Sequence, residues 1–190
     1  MNVQEATTRR LPDLKERHLP ENCRETINTI LKETYGYEQF RNLEIYDDLS
    51  KGKEKLCISQ GQLIENVILE AEKAWKGETQ VDNILLTAPT GSGKSLLFQL
   101  PAIYLGKEYN LLTIVVSPLK ALIVDQVESL QELGYMRVAY ASSDLSPEQK
   151  MEVYRQVREG EIDLFYLSPE LLLSYDIKHF VGERRIGLVV

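Results

Sequence analysis

Residues 83–97 read NILLTAPTGSGKSLL, and this stretch decides the fold. Its apolar start, Asn83 to Thr87, predicts a short buried strand, and Ser95 to Leu105 predicts a helix. A turn containing Gly91 and Gly93 connects the two. A strand that passes through a glycine-containing turn into a helix is typical of the first unit of an α/β sheet.

The same alternation of apolar strand and helix continues to the end of the chain. Near-continuous apolar strands separated by helices are typical of a parallel sheet that is covered on both faces. The fold class is therefore predicted to be α/β, with a doubly wound parallel sheet. The further predicted strands are Leu112 to Val116, Arg137 to Ala141, Asp163 to Leu167 and Ile186 to Val190. The further predicted helices are Ala121 to Leu133, Ser146 to Glu159 and Pro169 to Phe180.

The sequence changes character near residue 80. Helical spacing of apolar residues predicts helices over Glu21 to Thr34 and Gln62 to Trp75. Between them, the charged stretch from Leu43 to Lys55 predicts an irregular segment, and residues 76–80 predict an exposed loop. We therefore expect a mostly helical N-terminal extension over residues 1–80 and the parallel-sheet domain over residues 81–190.

Composition predicts an intracellular protein without a metal cluster. The net charge is −7 and the pI about 5.0, which predicts no general basic field but leaves room for a local nucleic-acid groove. Cys23 and Cys57 lie far apart and are expected to be plain thiols. Neither a secretory leader nor an apolar run long enough to span a bilayer is found, so the predicted location is the cytoplasm, with no membrane contact.

The turn between Ala88 and Ser95 matches the phosphate-binding loop pattern except for alanine at its first position. Glycines in this pattern let backbone amides approach phosphate oxygens, and the following helix directs its positive end at them. Lys94 is expected to neutralise the β- and γ-phosphates and to serve catalysis, and the Ser95 hydroxyl to bind Mg²⁺. The predicted ligand is ATP with Mg²⁺. The predicted loop contacts to ATP are Thr90, Gly91, Ser92, Gly93, Lys94 and Ser95.

Three motifs in order resemble those of superfamily 2 helicases. Thr87 to Ala102 looks like motif I, and its tail, with Gln99, Pro101 and Ala102, is most similar to the RecQ-like group. Val115 to Leu122 resembles motif Ia, and Leu164 to Leu172 resembles motif Ib. The last strand, Ile186 to Val190, looks like the strand that leads into the DEAH box. The resemblance covers about residues 83–190.

This resemblance implies a RecA-like lobe that couples ATP to movement along single-stranded DNA, with 3′-to-5′ unwinding. The implied partners are single-stranded DNA or DNA forks, together with a second helicase lobe. Loops at the carboxyl ends of strands can offer amides and hydroxyls to the DNA backbone. The residues that the resemblance assigns to DNA are Ser117, Pro118, Leu119, Lys120, Ser168, Pro169 and Glu170.

Upstream, the pattern departs from the family. The family has an aromatic–Arg pair and a glutamine that read adenine just before motif I. Tyr35 to Arg41 resembles the first part and Ser59 to Ile64 the second, with Gln62 as the predicted adenine reader because a carboxamide can pair with N6 and N7. About twenty residues separate the two parts, which leaves Phe40 and Arg41 in question. The alternative that Gln62 is a solvent-facing helix residue stays open.

The acids that hydrolysis requires cannot be placed. Asp163 starts a strand and Glu183 precedes one, whereas catalytic acids follow strands. We therefore expect a truncated first lobe, which hydrolyses ATP slowly or not at all. Two alternatives remain: a non-catalytic ATP-binding or interaction module, and a small P-loop kinase whose lid arginines would be Arg155 and Arg158.

Overall fold

The computed structural model describes residues 19–46, 55–86 and 91–190. No helix in these three ranges has the length and apolar character that crossing a bilayer requires. In chain order the elements are α1 (Glu25–Tyr35), β1 (Asn42–Tyr46), β2 (Lys55–Ser59), α2 (Gln60–Trp75), α3 (Leu96–Tyr109), β3 (Leu112–Val116), α4 (Lys120–Glu132), β4 (Val138–Ala141), α5 (Pro147–Arg158), β5 (Leu164–Leu167), α6 (Pro169–Ser174), α7 (Ile177–Val181) and β6 (Ile186–Val189).

A parallel four-stranded sheet in the order β4-β5-β3-β6 forms the centre of the molecule. Successive residues of a strand point to opposite faces. On β5, Leu164 and Tyr166 belong to one apolar core, while Phe165 and Leu167 belong to a second core on the other face. All four are buried, so helices must cover both faces. The predicted α/β class with a doubly wound parallel sheet is confirmed.

The N-terminal helices share the larger of these cores with the sheet domain. Ile27 of α1 and Ile64 and Ile68 of α2 are fully buried, and they belong to the same cluster as Leu100 and Ile103 of α3. Burying a side chain of this size contributes roughly 1.5–3 kcal/mol. The extension is therefore packed onto the sheet domain through α3 and has no separate core among the described residues.

The predicted strand over Asn83 to Thr87 is not found in its described part. Residues 83–86 adopt no regular secondary structure, and Leu85 is 79% exposed. A strand needs a neighbour for its backbone N–H and C=O groups, and the described sheet ends at β6. The apolar run alone was therefore not sufficient to predict a strand. Thr87 lies outside the described residues.

Two other sequence predictions need correction. The stretch Leu43 to Lys55 is not irregular at its ends, because β1 and β2 pair antiparallel with Asn42 opposite Ser59 and Tyr46 opposite Lys55. The helix predicted from Pro169 to Phe180 is divided into α6 and α7, because the extended backbone of Tyr175 interrupts it. The other predicted helices and strands are confirmed within a few residues of their ends.

Asp163 lies at the amino end of β5, as its sequence position predicted, and it is fully buried. Its carboxylate accepts hydrogen bonds from Arg137, Arg184 and Tyr135 at 2.6–3.0 Å. Burial lowers the pKa of Arg184, although the Asp163 charge opposes the shift. A buried carboxylate needs such partners, so this group serves the packing of the sheet and lies at the opposite strand ends from the loops described below.

Candidate nucleotide-binding site

The described part of the phosphate loop consists of a glycine turn and the helix that follows it. Gly91 and Gly93 have φ values of 81° and 78°, in the left-handed region that favours glycine. A Cβ atom on Gly93 would also lie 2.6 Å from the Gln60 Nε2 atom. Both glycines therefore have the backbone geometry for which they were predicted. Ala88, Pro89 and Thr90 lie outside the described residues.

Helix α3 begins directly after Ser95, so its N-terminal end lies at the glycine turn. The Ser95 hydroxyl makes no capping hydrogen bond with the helix. Lys94 is exposed beside it. The Ser92 hydroxyl is buried and finds no hydrogen-bond partner among the described residues. The positive end of a 14-residue helix therefore lies at a turn that contains a lysine and two serines.

A cleft of about 220 Å³ opens beside the turn. The rings of Tyr35 and Tyr37 are stacked there, with centroids 6.2 Å apart and an interplanar angle of 19°. Flat aromatic side chains beside a phosphate-binding turn suit a nucleotide base. The lining residues are Tyr35, Tyr37, Gln39, Arg41, Gln60, Gly93, Ser95, Leu96 and Gln99.

The structure brings together the two parts of the predicted base-binding segment. The hairpin formed by β1 and β2 closes the interval between them. As a result, the Arg41 backbone N–H donates to Gln60 Oε1 at 3.1 Å, and the Gln60 N–H donates to the Arg41 carbonyl at 2.9 Å. Arg41 lines the cleft, whereas Phe40 is half-buried and packs against the core. The hairpin therefore brings Arg41 next to Gln60 despite the about twenty residues between the two parts.

Gln60 is the residue that the sequence reasoning missed. It is 2% exposed, and its Nε2 donates to the carbonyls of Ser92 and Gly93 at 3.2 and 3.4 Å. Gln60 thus ties the backbone of the cleft to the phosphate turn. Its position directly after the helix-capping Ser59 was the available signal, but it does not reveal burial.

Gln62, the predicted adenine reader, lies on α2 two residues after the lining residue Gln60. Its Oε1 accepts from the Ser59 N–H at 3.0 Å and completes a capping box, while its Nε2 donates to the Pro20 carbonyl at 3.1 Å. The side chain is half-buried and is not among those that line the cleft. Its role toward adenine stays a prediction.

The two predicted DNA-contact loops lie side by side at the carboxyl ends of β3 and β5. The Ser117 N–H donates to the Leu167 carbonyl at 3.1 Å, which joins one loop to the end of the other strand. Ser168 is 2% exposed and caps α6, and Pro169 is the first residue of that helix. The exposed members of these loops are Pro118, Leu119, Lys120 and Glu170.

Lys120 connects its loop to the end of a third strand. Its Nζ donates to Asp144 Oδ1 at 2.8 Å and also contacts Ser143 Oγ, just beyond β4. The hydrogen bond from Lys120 lowers the pKa of Asp144. The cation predicted to meet DNA is thus paired with a carboxylate at the same edge of the sheet.

Arg155 and Arg158, the arginines that a kinase lid would require, both bind other groups of the protein. Arg155 forms ion pairs with Glu152 at 2.7 Å and Glu161 at 2.9 Å on the surface of α5. Arg158 donates to the His179 carbonyl. Within residues 19–46, 55–86 and 91–190, no group of three or more histidine, cysteine, aspartate or glutamate side chains is arranged to hold a metal ion.

Known proteins resemble the chain in sequence and in fold. Residues 60–190 match the DEAD/DEAH box helicase family. The ATP-dependent DNA helicase RecQ of Synechocystis sp. is 32% identical over 165 residues, which are 87% of this chain and 28% of that protein. RecQ of Bacillus subtilis is 32% identical over 148 residues, which are 78% of this chain and 20% of that protein. The chain therefore spans less than a third of the length of these curated relatives.

The crystal structure of the DUF1998 helicase MrfA bound to DNA shares the fold. It superposes with a TM-score of 0.50 at 21% sequence identity, covering 86% of this chain and 19% of that one.

Proposed function

Because the chain belongs to the DEAD/DEAH box helicase family, we propose that it is the ATP-binding first lobe of an ATP-dependent DNA helicase similar to RecQ. The observation that carries this proposal is the junction between the glycine turn at Gly91–Ser95 and the aromatic cleft. Gln60 joins the two by hydrogen bonds. Such a junction can hold a base and a phosphate tail at the same time.

In this proposal, Lys94 neutralises the nucleotide's phosphates and is the catalytic residue of this lobe, and the amides of residues 90–95 surround them. Ser95 fits a Mg²⁺ ion because its hydroxyl is not used to cap α3. The ion would supply charge neutralisation to the phosphates. The Ser92 hydroxyl, which has no hydrogen-bond partner in the described part of the chain, fits a phosphate oxygen. Gln62 would read the adenine edge by giving up its bond to the Pro20 carbonyl.

Single-stranded DNA, or the single strand of a fork, would bind across the neighbouring loops after β3 and β5. A phosphate would replace Asp144 as the partner of Lys120, and the amides at the start of α6 would face the backbone. These contacts carry no base specificity. We place Ser117, Pro118, Leu119, Lys120, Ser168, Pro169 and Glu170 in this interface.

The remaining proposals concern the organisation of the whole protein. Residues 1–80 would form the mostly helical extension with the base cleft, and residues 81–190 the RecA-like lobe. A second lobe would complete the motor, because the RecQ relatives are several times longer than this chain. The proposed location is the cytoplasm.

The test measures binding of a fluorescent ATP analogue to the 190-residue chain and to two lysine variants. Lys94→Ala should weaken affinity at least tenfold, because it removes the cation at the turn. Lys107→Ala removes an exposed lysine from the last turn of the same helix and should have no effect. Equal affinity of Lys94→Ala and the unaltered chain would refute the nucleotide site and favour a non-catalytic interaction module.

A further inference from the structure

Gln99 lies on α3, one helical turn beyond Ser95, and its carboxamide joins three other elements of the fold. The side chain is 5% exposed. The Tyr35 hydroxyl donates to Gln99 Oε1 at 2.9 Å. Gln99 Nε2 donates to Gln126 Oε1 at 3.0 Å and to the Tyr166 hydroxyl at 3.3 Å. We call these four side chains the Gln99 network.

The partners of Gln99 belong to the two regions that the proposed function requires, the base cleft and the elements next to the candidate DNA loops. Tyr35 ends α1, lines the cleft and stacks on Tyr37. Gln126 lies on α4, the helix that begins at Lys120 immediately after the first candidate DNA loop. Tyr166 lies on β5, two residues before Ser168 and the second loop. The buried Gln99 side chain therefore contacts one residue of the cleft and also α4 and β5, the two elements next to the candidate DNA loops.

The physical chemistry of a buried amide makes these contacts dependent on one another. A carboxamide offers fixed acceptor and donor directions, so turning it toward one partner turns it away from another. A buried hydroxyl or amide that loses its partner is penalised, because water cannot replace the lost hydrogen bond. If a bound base moved the Tyr35 ring, Gln99 would have to follow it or lose that hydrogen bond. A movement of the Gln99 carboxamide would in turn change its hydrogen bonds to Gln126 and Tyr166.

We propose that Gln99 is a positioning residue that couples occupancy of the cleft to the loops at Ser117–Lys120 and Ser168–Glu170. The inference rests on the proposed function, because it requires one ligand at the cleft and another at the loops. Coupling between two sites is reciprocal: each ligand changes the affinity of the other by the same factor. That factor is measurable separately from either affinity alone.

The experiment measures the affinity of a fluorescent ATP analogue for the 190-residue chain, with and without saturating oligothymidylate. The ratio of the two dissociation constants is the coupling factor, and roughly fivefold or more is expected in the unaltered chain. Gln99→Met keeps an unbranched side chain of similar size but removes all three hydrogen bonds. It should bring the factor close to one, and because the factor is a ratio, an equal loss of affinity with and without the oligonucleotide would leave it unchanged. Gln131→Met on α4 is the matched control and should leave the factor unchanged.

Two results would overturn the inference while the proposed function stands. In the first, the unaltered chain binds both ligands with a coupling factor of one. In the second, Gln99→Met retains the coupling factor of the unaltered chain. If Gln99→Met does not fold, Tyr35→Phe decides the question, because it removes only one hydroxyl of the network and should also lower the factor. Failure of the unaltered chain to bind the analogue or the oligonucleotide would refute the proposed function and, with it, this inference.

Discussion

Arg41 and Gln60 are 19 positions apart in the sequence but are joined by two hydrogen bonds, one from each backbone N–H. The antiparallel pairing of β1 and β2 brings them together, because it starts with Asn42 opposite Ser59. The hairpin therefore behaves as an insertion whose two ends meet inside the candidate nucleotide site. Arg41 and Gln60, which both line the cleft, flank the end of this ladder that is opposite to residues 47–54.

The first prediction follows from that closure. Replacing residues 47–54 by Asn-Gly should leave affinity for the ATP analogue within about twofold. Tyr46 and Lys55 are opposite each other, and Asn-Gly is the preferred two-residue connection between paired antiparallel strands. Replacing residues 42–59 by the same dipeptide is the contrasting variant, because it removes the capping Ser59 and the strands that align Arg41 with Gln60. A tenfold loss of affinity in the variant that replaces residues 47–54 would contradict the prediction.

The second prediction concerns Gln60. Gln60→Leu should weaken binding of ATP and GTP analogues equally, by roughly tenfold, since a lost buried hydrogen bond costs about 1–3 kcal/mol. Its carboxamide holds the carbonyls of Ser92 and Gly93, and both nucleotides have the same phosphates. Titrating both analogues measures the effect, with Gln156→Leu on α5 as the control. An effect on one base alone would show that Gln60 acts on the base and not on the turn.

The third prediction separates Gln62 from Gln60. If Gln62 reads adenine, Gln62→Leu should reduce the preference for ATP over GTP by roughly tenfold, because a bidentate pair with a base is worth about 1–3 kcal/mol of discrimination. The variant also loses the capping box with Ser59, so its free energy of unfolding should fall by about 1 kcal/mol. Urea unfolding and the two nucleotide titrations distinguish these effects. A fall in stability with an unchanged ATP preference would assign Gln62 to capping alone.

The parts of the fold that the sequence predicted are those determined by local pattern. The run Leu112–Val116 is apolar except for Thr113 and forms β3 with the predicted bounds. Gly91 and Gly93 have positive φ values, which glycine adopts more readily than any other residue type. The motif resemblance over the second half of the chain is likewise confirmed by the family match over residues 60–190.

The parts that the sequence did not predict depend on distant neighbours. Ile84–Leu86 has the composition of a strand, yet a strand forms only where another edge accepts its hydrogen bonds. Gln60 looks like any polar residue at a helix start, and its burial follows from the way the hairpin folds back on Arg41. Gln99 was noted as part of the motif tail, but its three partners come from α1, α4 and β5.

The fourth prediction tests the DNA interface. Lys120→Ala should weaken binding of oligothymidylate and reduce the slope of log affinity against log salt by about 0.7, the value for one phosphate contact on a single strand. Asp144→Asn should raise affinity a few-fold, because the carboxylate that now pairs with Lys120 is removed. Both are measured by fluorescence anisotropy over a salt series, with Lys107→Ala as the control. An unchanged salt slope in Lys120→Ala would exclude Lys120 from the interface.

The last prediction concerns the ion pair that fixes the N-terminal segment to α2 and α3. Glu72 is buried and accepts hydrogen bonds from Arg24 at 2.6 Å, Tyr109 at 2.9 Å and Tyr104 at 3.2 Å. Burial raises the pKa of Glu72, but the hydrogen bonds from these partners and the charge of Arg24 outweigh it, so the pKa lies below the ordinary value of 4.5. The unfolded chain therefore binds this proton more readily than the folded one.

The stabilisation from Glu72 should thus be complete above the ordinary pKa of 4.5 and be lost as the pH falls through the lower folded value. Glu72→Gln should be less stable than the unaltered chain at neutral pH, by roughly 1–3 kcal/mol because charged hydrogen bonds are lost. The difference should shrink in acid, where the native glutamate is also neutral. Urea unfolding over a pH series measures it, with Glu128→Gln, an exposed carboxyl on α4, as the control. A difference that stays constant from neutral to acid pH would mean that Glu72 stabilises the fold by packing and not by its charge.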